Sequence, residues 1–220
     1  MNGSLPLALC LTAALLLSGC QGNPAAQSAE DTPVEESLGT YYEEAMEQAE
    51  APDDPVLAVY KDQTVLRSVV DYQNQTQAAL AGVDPATLSD QEVVDDLLKN
   101  ALLLEEAEAR GLTPTQEEIE QYLQETVYTA YGLLEGKEQI DNYCASAGIS
   151  FEEYVADLRG QAPRFLAKAK LKEVVMEEYC QAHGLPYDRM NPPQEAQEAV
   201  EAYQDRLLAD HQGEITYYLP

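Results

Sequence analysis

Between Ser89 and Gly111 the chain places Val93, Val94, Leu97, Leu98, Ala101, Leu102, Leu104 and Ala107 at separations of mostly three and four residues. That period makes a helix with a broad apolar face, which other elements must cover. Ser89, with Glu92 three residues on, has the form of a capping box, and Gly111 after Arg110 supplies the stop. This is the most hydrophobic helix of the chain and reads as the central one.

More helices follow. Thr113-Pro114-Thr115-Gln116 reads as a start, with Thr113 at the N-cap, Pro114 at N1 and Gln116 at N3. Ile119, Leu123, Val127, Tyr131 and Leu134 mark its face before Gly136. A short helix spans Lys137 to Ala147. Ser150 and Glu153 form a further capping box, opening a long helix that carries Tyr154, Val155, Leu158, Phe165, Leu166, Val174, Val175 and Tyr179. Pro163 lacks an N–H and is expected to kink or split it. Ser68 to Ala81 and Gln194 to His211 read as helices at either end.

Both ends of this helical run look like strands. Val56, Leu57 and Val59, then Thr64, Val65 and Leu66, flank a polar Lys61-Asp62-Gln63 turn, and Ile215, Tyr217 and Leu219 alternate near the C-terminus. The expected fold class is mostly α, with a small β element formed by the N- and C-terminal strands.

Ahead of the domain lies a different kind of sequence. Leu5 to Leu17 is nearly all apolar, too short for a spanning helix of roughly 20 residues, and fits the core of an export signal. Leu17-Ser18-Gly19-Cys20 resembles the lipobox of bacterial lipoproteins, which implies a signal peptide over 1–19 and a lipidated Cys20. One feature departs from that pattern: residues 1–4 carry no Lys or Arg. Residues 20–54 are rich in Ala, Pro, Gly, Ser and acids and read as a flexible acidic tether, with a turn or two of helix at Tyr41 to Glu50. The folded domain is expected over 55–220. The expected place is the extracytoplasmic face of a bacterial membrane, reached through the lipid anchor.

Charge narrows the partners. With 12 basic and 40 acidic residues the net charge is −28, and all of it lies after Cys20. Nucleic acid is excluded as a natural partner, since phosphate contacts need clustered Lys and Arg. Asp53-Asp54 and Asp95-Asp96 are pairs without the spacing of a calcium loop. No P-loop, Gly-rich nucleotide turn, zinc spacing or Ser-His-Asp order is present, so no cofactor, metal or small-molecule substrate is expected. Cys144 and Cys180 read either as two lone buried thiols or as a disulfide that export would permit. His183 and His211 read as capping or surface residues.

Several phrases resemble the N-terminal chaperone domain of the SurA and PrsA foldases. "VLAVYKDQTVLRSVV" is similar to their opening hairpin and helix. "LLKNALLLEEAEARGLTPTQEEIEQYL" is the nearest in pattern, and "GISFEEYVADLRGQ" followed by "LAKAKL" resembles their long helix. "AVEAYQDRLLADHQGEITYYLP" resembles the C-terminal helix and strand that return to complete that domain. On this resemblance 55–187 forms the main part and 194–220 completes it. The foldases insert a parvulin prolyl-isomerase domain of about ninety residues between those parts; here Gly184 to Pro193 fills the place.

The resemblance therefore implies a helical chaperone that holds unfolded or exported polypeptides without isomerase activity of its own. The residues themselves offer Tyr122, Tyr128, Tyr131, Leu133 and Leu134 as a client-binding cluster, because they are more apolar residues than one core face needs. The chain has 14 Tyr, 2 Phe and no Trp, so Tyr is its bulky contact residue. The alternatives are an adaptor lipoprotein with one dedicated envelope partner and a residual prolyl isomerase.

Overall fold

The structure is a computed structural model that describes residues 34–49 and 53–219. The signal segment, Cys20 and the first part of the tether lie outside the described residues. The described chain is mostly helical with one small antiparallel sheet, as the periodicities require.

The sheet has the order β2-β1-β3, with β1 (Val56–Tyr60) in the middle, β2 (Gln63–Leu66) on one side and β3 (Ile215–Tyr217) on the other. Tyr60 faces Gln63 across the hairpin and Ile215 on the other edge. The turn is thus Lys61-Asp62 alone, and Gln63 already belongs to β2. Lys61 takes a positive φ of 54° and its ammonium pairs with Glu105. Strands from either side of the main helical run meet in this sheet, which fixes α8 (Gln194–His211) against the first half of the fold.

Along the chain between β2 and the long helix come α2 (Arg67–Ala81), α3 (Asp90–Ala109), α4 (Gln116–Tyr122) and α6 (Leu134–Ser146). Between the last two run a π-helical stretch, Leu123–Tyr128, and a short α5, Thr129–Tyr131. Then comes α7 (Phe151–His183), of 33 residues. Helix α3 is central, as its apolar face demanded: Val93, Val94, Leu97, Leu98 and Leu102 pack on the sheet and α2, while Leu103 and Ala107 pack on α7 and α8. A further core joins Ile119, Leu123, Val127, Ile140, Tyr143 and Cys144 to Tyr154, Val155 and Leu158 of α7.

Three expectations are corrected. The tether reading fails over Val34–Ala49, which forms a 16-residue helix, α1, with Leu38, Gly39 and Ala45 buried. Apart from Leu38, its inner face is made of small residues and tyrosines, so hydropathy alone reads it as solvated chain. Tyr42 shows how firmly it docks: its ring edges onto Tyr72 and leans on Tyr143, and its hydroxyl donates to Asp157 at 3.1 Å.

Of the two outcomes expected at Pro163, the split does not occur: α7 runs unbroken through it. Its ring removes the bond to the Arg159 carbonyl, but packing holds both sides: Leu158 and Ala162 sit in one core, Ala167 and Leu171 in the next. The N-cap before α4 is Thr115 rather than Thr113. Glu118 accepts from the Thr115 N–H at 2.7 Å and also pairs with Lys170 at 2.6 Å. A carboxylate makes the stronger cap acceptor, and Pro114, outside the helix, is buried.

Candidate functional site

The five candidate contact residues fall on one bend of the chain, but they do not share one environment. Tyr122 is half-buried, its ring set edge-on against Phe165 of α7 at 4.8 Å, and burial pushes its phenol pKa up. Tyr131 stacks on Phe151 at 3.8 Å and its hydroxyl donates to Asp141 at 3.0 Å. Both are held as structural contacts. Tyr128 is exposed, with one edge of its ring toward Phe151.

Leu133 and Leu134 differ from the rest: they are 63% and 85% exposed. The backbone explains why. The sequence period predicts one helix through Leu134, yet the π-helical stretch shifts the register after Tyr122, and helix ends at Tyr131. The Gly132 N–H is taken by the Tyr128 carbonyl and the Leu133 N–H by that of Ala130. Leu134 then begins α6 instead of closing the previous apolar face. The turn is tight enough that a Cβ at Gly136 would lie 2.4 Å from the Ala130 carbonyl oxygen, so only glycine fits. The result is an apex of two leucines with Tyr128 nearby, braced beneath by the Tyr131–Phe151 stack and by Lys137, which pairs with Asp141 and lies over the Tyr131 ring.

The remaining sequence candidates sit apart from this apex. Cys144 and Cys180 are both buried free thiols, so the disulfide reading is corrected. Cys144 points into the core shared by α4, α6 and α7, where burial pushes its thiol up to about 11, and Cys180 lies near the far end of α7. His183 Nδ1 lies 2.8 Å from the Tyr179 carbonyl oxygen and His211 Nδ1 2.9 Å from that of Leu207, each one turn back along the chain. No group of three or more His, Cys, Asp or Glu suited to a metal occurs among the described residues. No helix among them is long and apolar enough to cross a membrane.

Sequence reasoning missed the polar inner face of α2. Ser68, Gln73, Asn74 and Thr76 are all buried there, beside clefts against α1 and α3. Period alone marks apolar positions, so buried polar ones leave little trace in it.

Fold and site together define a mostly helical domain, closed by a three-stranded sheet from its two ends, that presents an apolar apex on a strongly acidic chain. No protein-family model, curated protein or solved structure matches the chain.

Proposed function

We propose that this chain is a membrane-tethered, extracytoplasmic chaperone that holds unfolded or exported polypeptide, with no prolyl-isomerase domain of its own. The observation that carries the reading is the exposure of Leu133 and Leu134 at a braced turn. Neither leucine belongs to the three buried clusters, and covering them with a client's apolar side chains gains at most about 1.5–3 kcal/mol each. Part of that is lost in ordering the client, which leaves weak, exchangeable binding of the kind a holdase needs. The charge of −28 keeps a loaded complex soluble. The lipobox resemblance at Cys20 supplies the location, and the resemblance to the SurA and PrsA chaperone domain supplies the client class.

The test is aggregation of several chemically unrelated unfolded proteins, followed by light scattering with the purified chain at near-stoichiometric amounts. Slowed aggregation of several clients, reduced in the Leu133→Ser/Leu134→Ser variant, supports the proposal. No effect on any client removes it and leaves an adaptor with one dedicated envelope partner as the reading to pursue by crosslinking.

A further inference from the structure

The sheet stops at β3, and the backbone there shows which groups are left over. The Tyr218 N–H donates to the Leu57 carbonyl at 2.8 Å, and Thr216 stands opposite Val59. Backbone groups alternate in direction along an antiparallel strand. Thr216 and Tyr218 therefore turn theirs toward β1, while Ile215 and Tyr217 turn theirs outward. The Ile215 N–H is taken by the Gln212 carbonyl. The Ile215 carbonyl and both backbone groups of Tyr217 have no partner among the described residues.

Natural sheet edges are usually blunted by charge, proline or a bulge. The run from Ile215 to Leu219 carries no charge and no proline, and its register with β1 is unbroken. The other edge, β2, is blunted: its pairing with β1 shifts between Val56 and Ala58, and the chain enters α2 directly after Leu66.

Beside the β3 edge a cleft of about 550 Å³ opens toward α3 and α8, lined by Tyr217, by Asp95 of α3 and by Asp205, Leu208 and Ala209 of α8. Tyr217 forms part of its wall, with its hydroxyl donating to Asp95 Oδ1 at 2.8 Å. Asp205 is held by Lys99 at 2.7 Å. With both carboxylates engaged, Leu208 and Ala209 are the surface left for an apolar side chain. An antiparallel residue opposite Tyr217 would exchange both backbone bonds with it and point its side chain to the same face. That face is the one with the cleft, so main-chain bonding and side-chain insertion fall on the same alternate residues, as strand addition requires.

We infer that the outer edge of β3 receives an extended segment of a bound polypeptide as a fourth, antiparallel strand, whose bonded residues set small apolar side chains beside Leu208 and Ala209. The free groups run acceptor, donor, acceptor, a row that an extended backbone matches. A second copy of the chain is disfavoured by the net charge of −28 that each copy carries. The inference rests on the polypeptide-binding reading above and deepens it: the apex takes apolar side chains, and the edge reads backbone, which every unfolded client carries.

The probe is dye-labelled Thr-Val-Thr-Val-Thr with blocked ends, titrated with the full chain and followed by anisotropy. Two partner peptides carry backbone N-methyl groups, one on both valines and one on the central threonine. Methylating the valines removes the N–H groups that reach the Tyr217 and Ile215 carbonyls and should weaken binding at least about tenfold, or about 1.4 kcal/mol. Methylating the threonine should change it less than about twofold, because no bond to β3 is lost. On the protein, Tyr217→Pro removes the outward N–H and leaves the bonds to β1, a place where an edge strand accepts proline. It should bind about tenfold more weakly than Tyr217→Ala, which keeps the N–H.

No binding of the parent peptide, or equal effects of the two methylations, overturns the inference. Loss on threonine rather than valine methylation overturns the antiparallel placement, and equal binding by the two Tyr217 variants overturns the site. Sedimentation velocity of the chain alone should show a monomer; a dimer abolished by Tyr217→Pro would make a second copy the occupant and overturn the peptide assignment. The peptide comparison uses the unaltered chain and needs no variant to fold. The aggregation assay is independent: suppression that persists while the peptides bind alike sinks the edge alone, and absent suppression sinks the chaperone reading while the peptides still decide the edge.

Discussion

Replacing Gly39 by alanine tests the docking of α1. Inside an exposed helix the change would help, since glycine costs about 1 kcal/mol relative to alanine. Gly39 instead faces α6 and the residue that follows it. A Cβ there would lie 2.0 Å from Ser146 Oγ, 2.6 Å from the Tyr143 carbonyl oxygen and 2.9 Å from the Ala147 nitrogen. The Ser146 hydroxyl can rotate away, but the other two are backbone atoms and cannot. Helix α1 must then lift from α6, taking Leu38, which is fully buried, partly out of its core.

Overpacking of this kind costs about 1–3 kcal/mol, and contact with backbone puts it at the upper end. Subtracting the helix gain leaves a net loss of about 2 kcal/mol. With a urea m-value of about 2 kcal/mol/M, the unfolding midpoint by far-UV circular dichroism should fall by about 1 M. If α1 detaches without global unfolding, the amides of Leu38 to Ala45 should lose hydrogen-exchange protection instead. Gly160→Ala is the matched control: it sits inside α7, where a Cβ would meet nothing within 4 Å. It should stabilise by about 0.5–1 kcal/mol. If Gly39→Ala stabilises as Gly160→Ala does, with exchange protection intact, the argument for a docked α1 is wrong.

Other outcomes follow from single groups. Ser150→Ala removes a cap that accepts from the Glu153 N–H at 3.2 Å and should cost about 1 kcal/mol in the same urea titration. Glu118 is held down to about 2 by Lys170 first and then by Thr115. Because its folded pKa lies below its unfolded one, its contribution is present above the ordinary value of 4.5 and lost as pH falls toward 2. The midpoint gap between the chain and Glu118→Gln should therefore close between pH 5 and 2, and a constant gap would show that the carboxylate charge plays no part. Cys144 and Cys180 should resist alkylation in the folded chain, and mass spectrometry should find both labelled after unfolding without reductant. Labelling of neither in denaturant would mean a disulfide.

Local signals made most of the helices legible. Ser89, Ser150 and the period of α3 mark ends and faces that depend on residues only a few positions apart. The short β-branched and apolar runs at 56–66 and the alternation at 215–217 likewise need only near neighbours. Misreadings arose where distant contacts outweigh local preference. Helix α1 looks like tether because, apart from Leu38, its face is glycine, alanine and tyrosine, and its stability comes from packing on α2 and α6. Pro163 is a helix breaker by itself, yet it lies inside a helix that two cores hold together.

The candidate sites divide in the same way. The sequence marked Tyr122 to Leu134 as richer in apolar residues than a core face needs, but only the fold sorted them. It seated Tyr122 on Phe165 and Tyr131 on Phe151, and left Leu133 and Leu134 in water. The cleft beside the β3 edge was not legible, because Tyr217, Asp95 and Leu208 come from a strand and two helices. By itself the sequence determined the helical class, most helix boundaries, the charge and the strand at each end of the domain, because those depend on neighbours along the chain. Which surfaces were left uncovered, and which polar atoms were left without a partner, was decided only when residues far apart in sequence packed together.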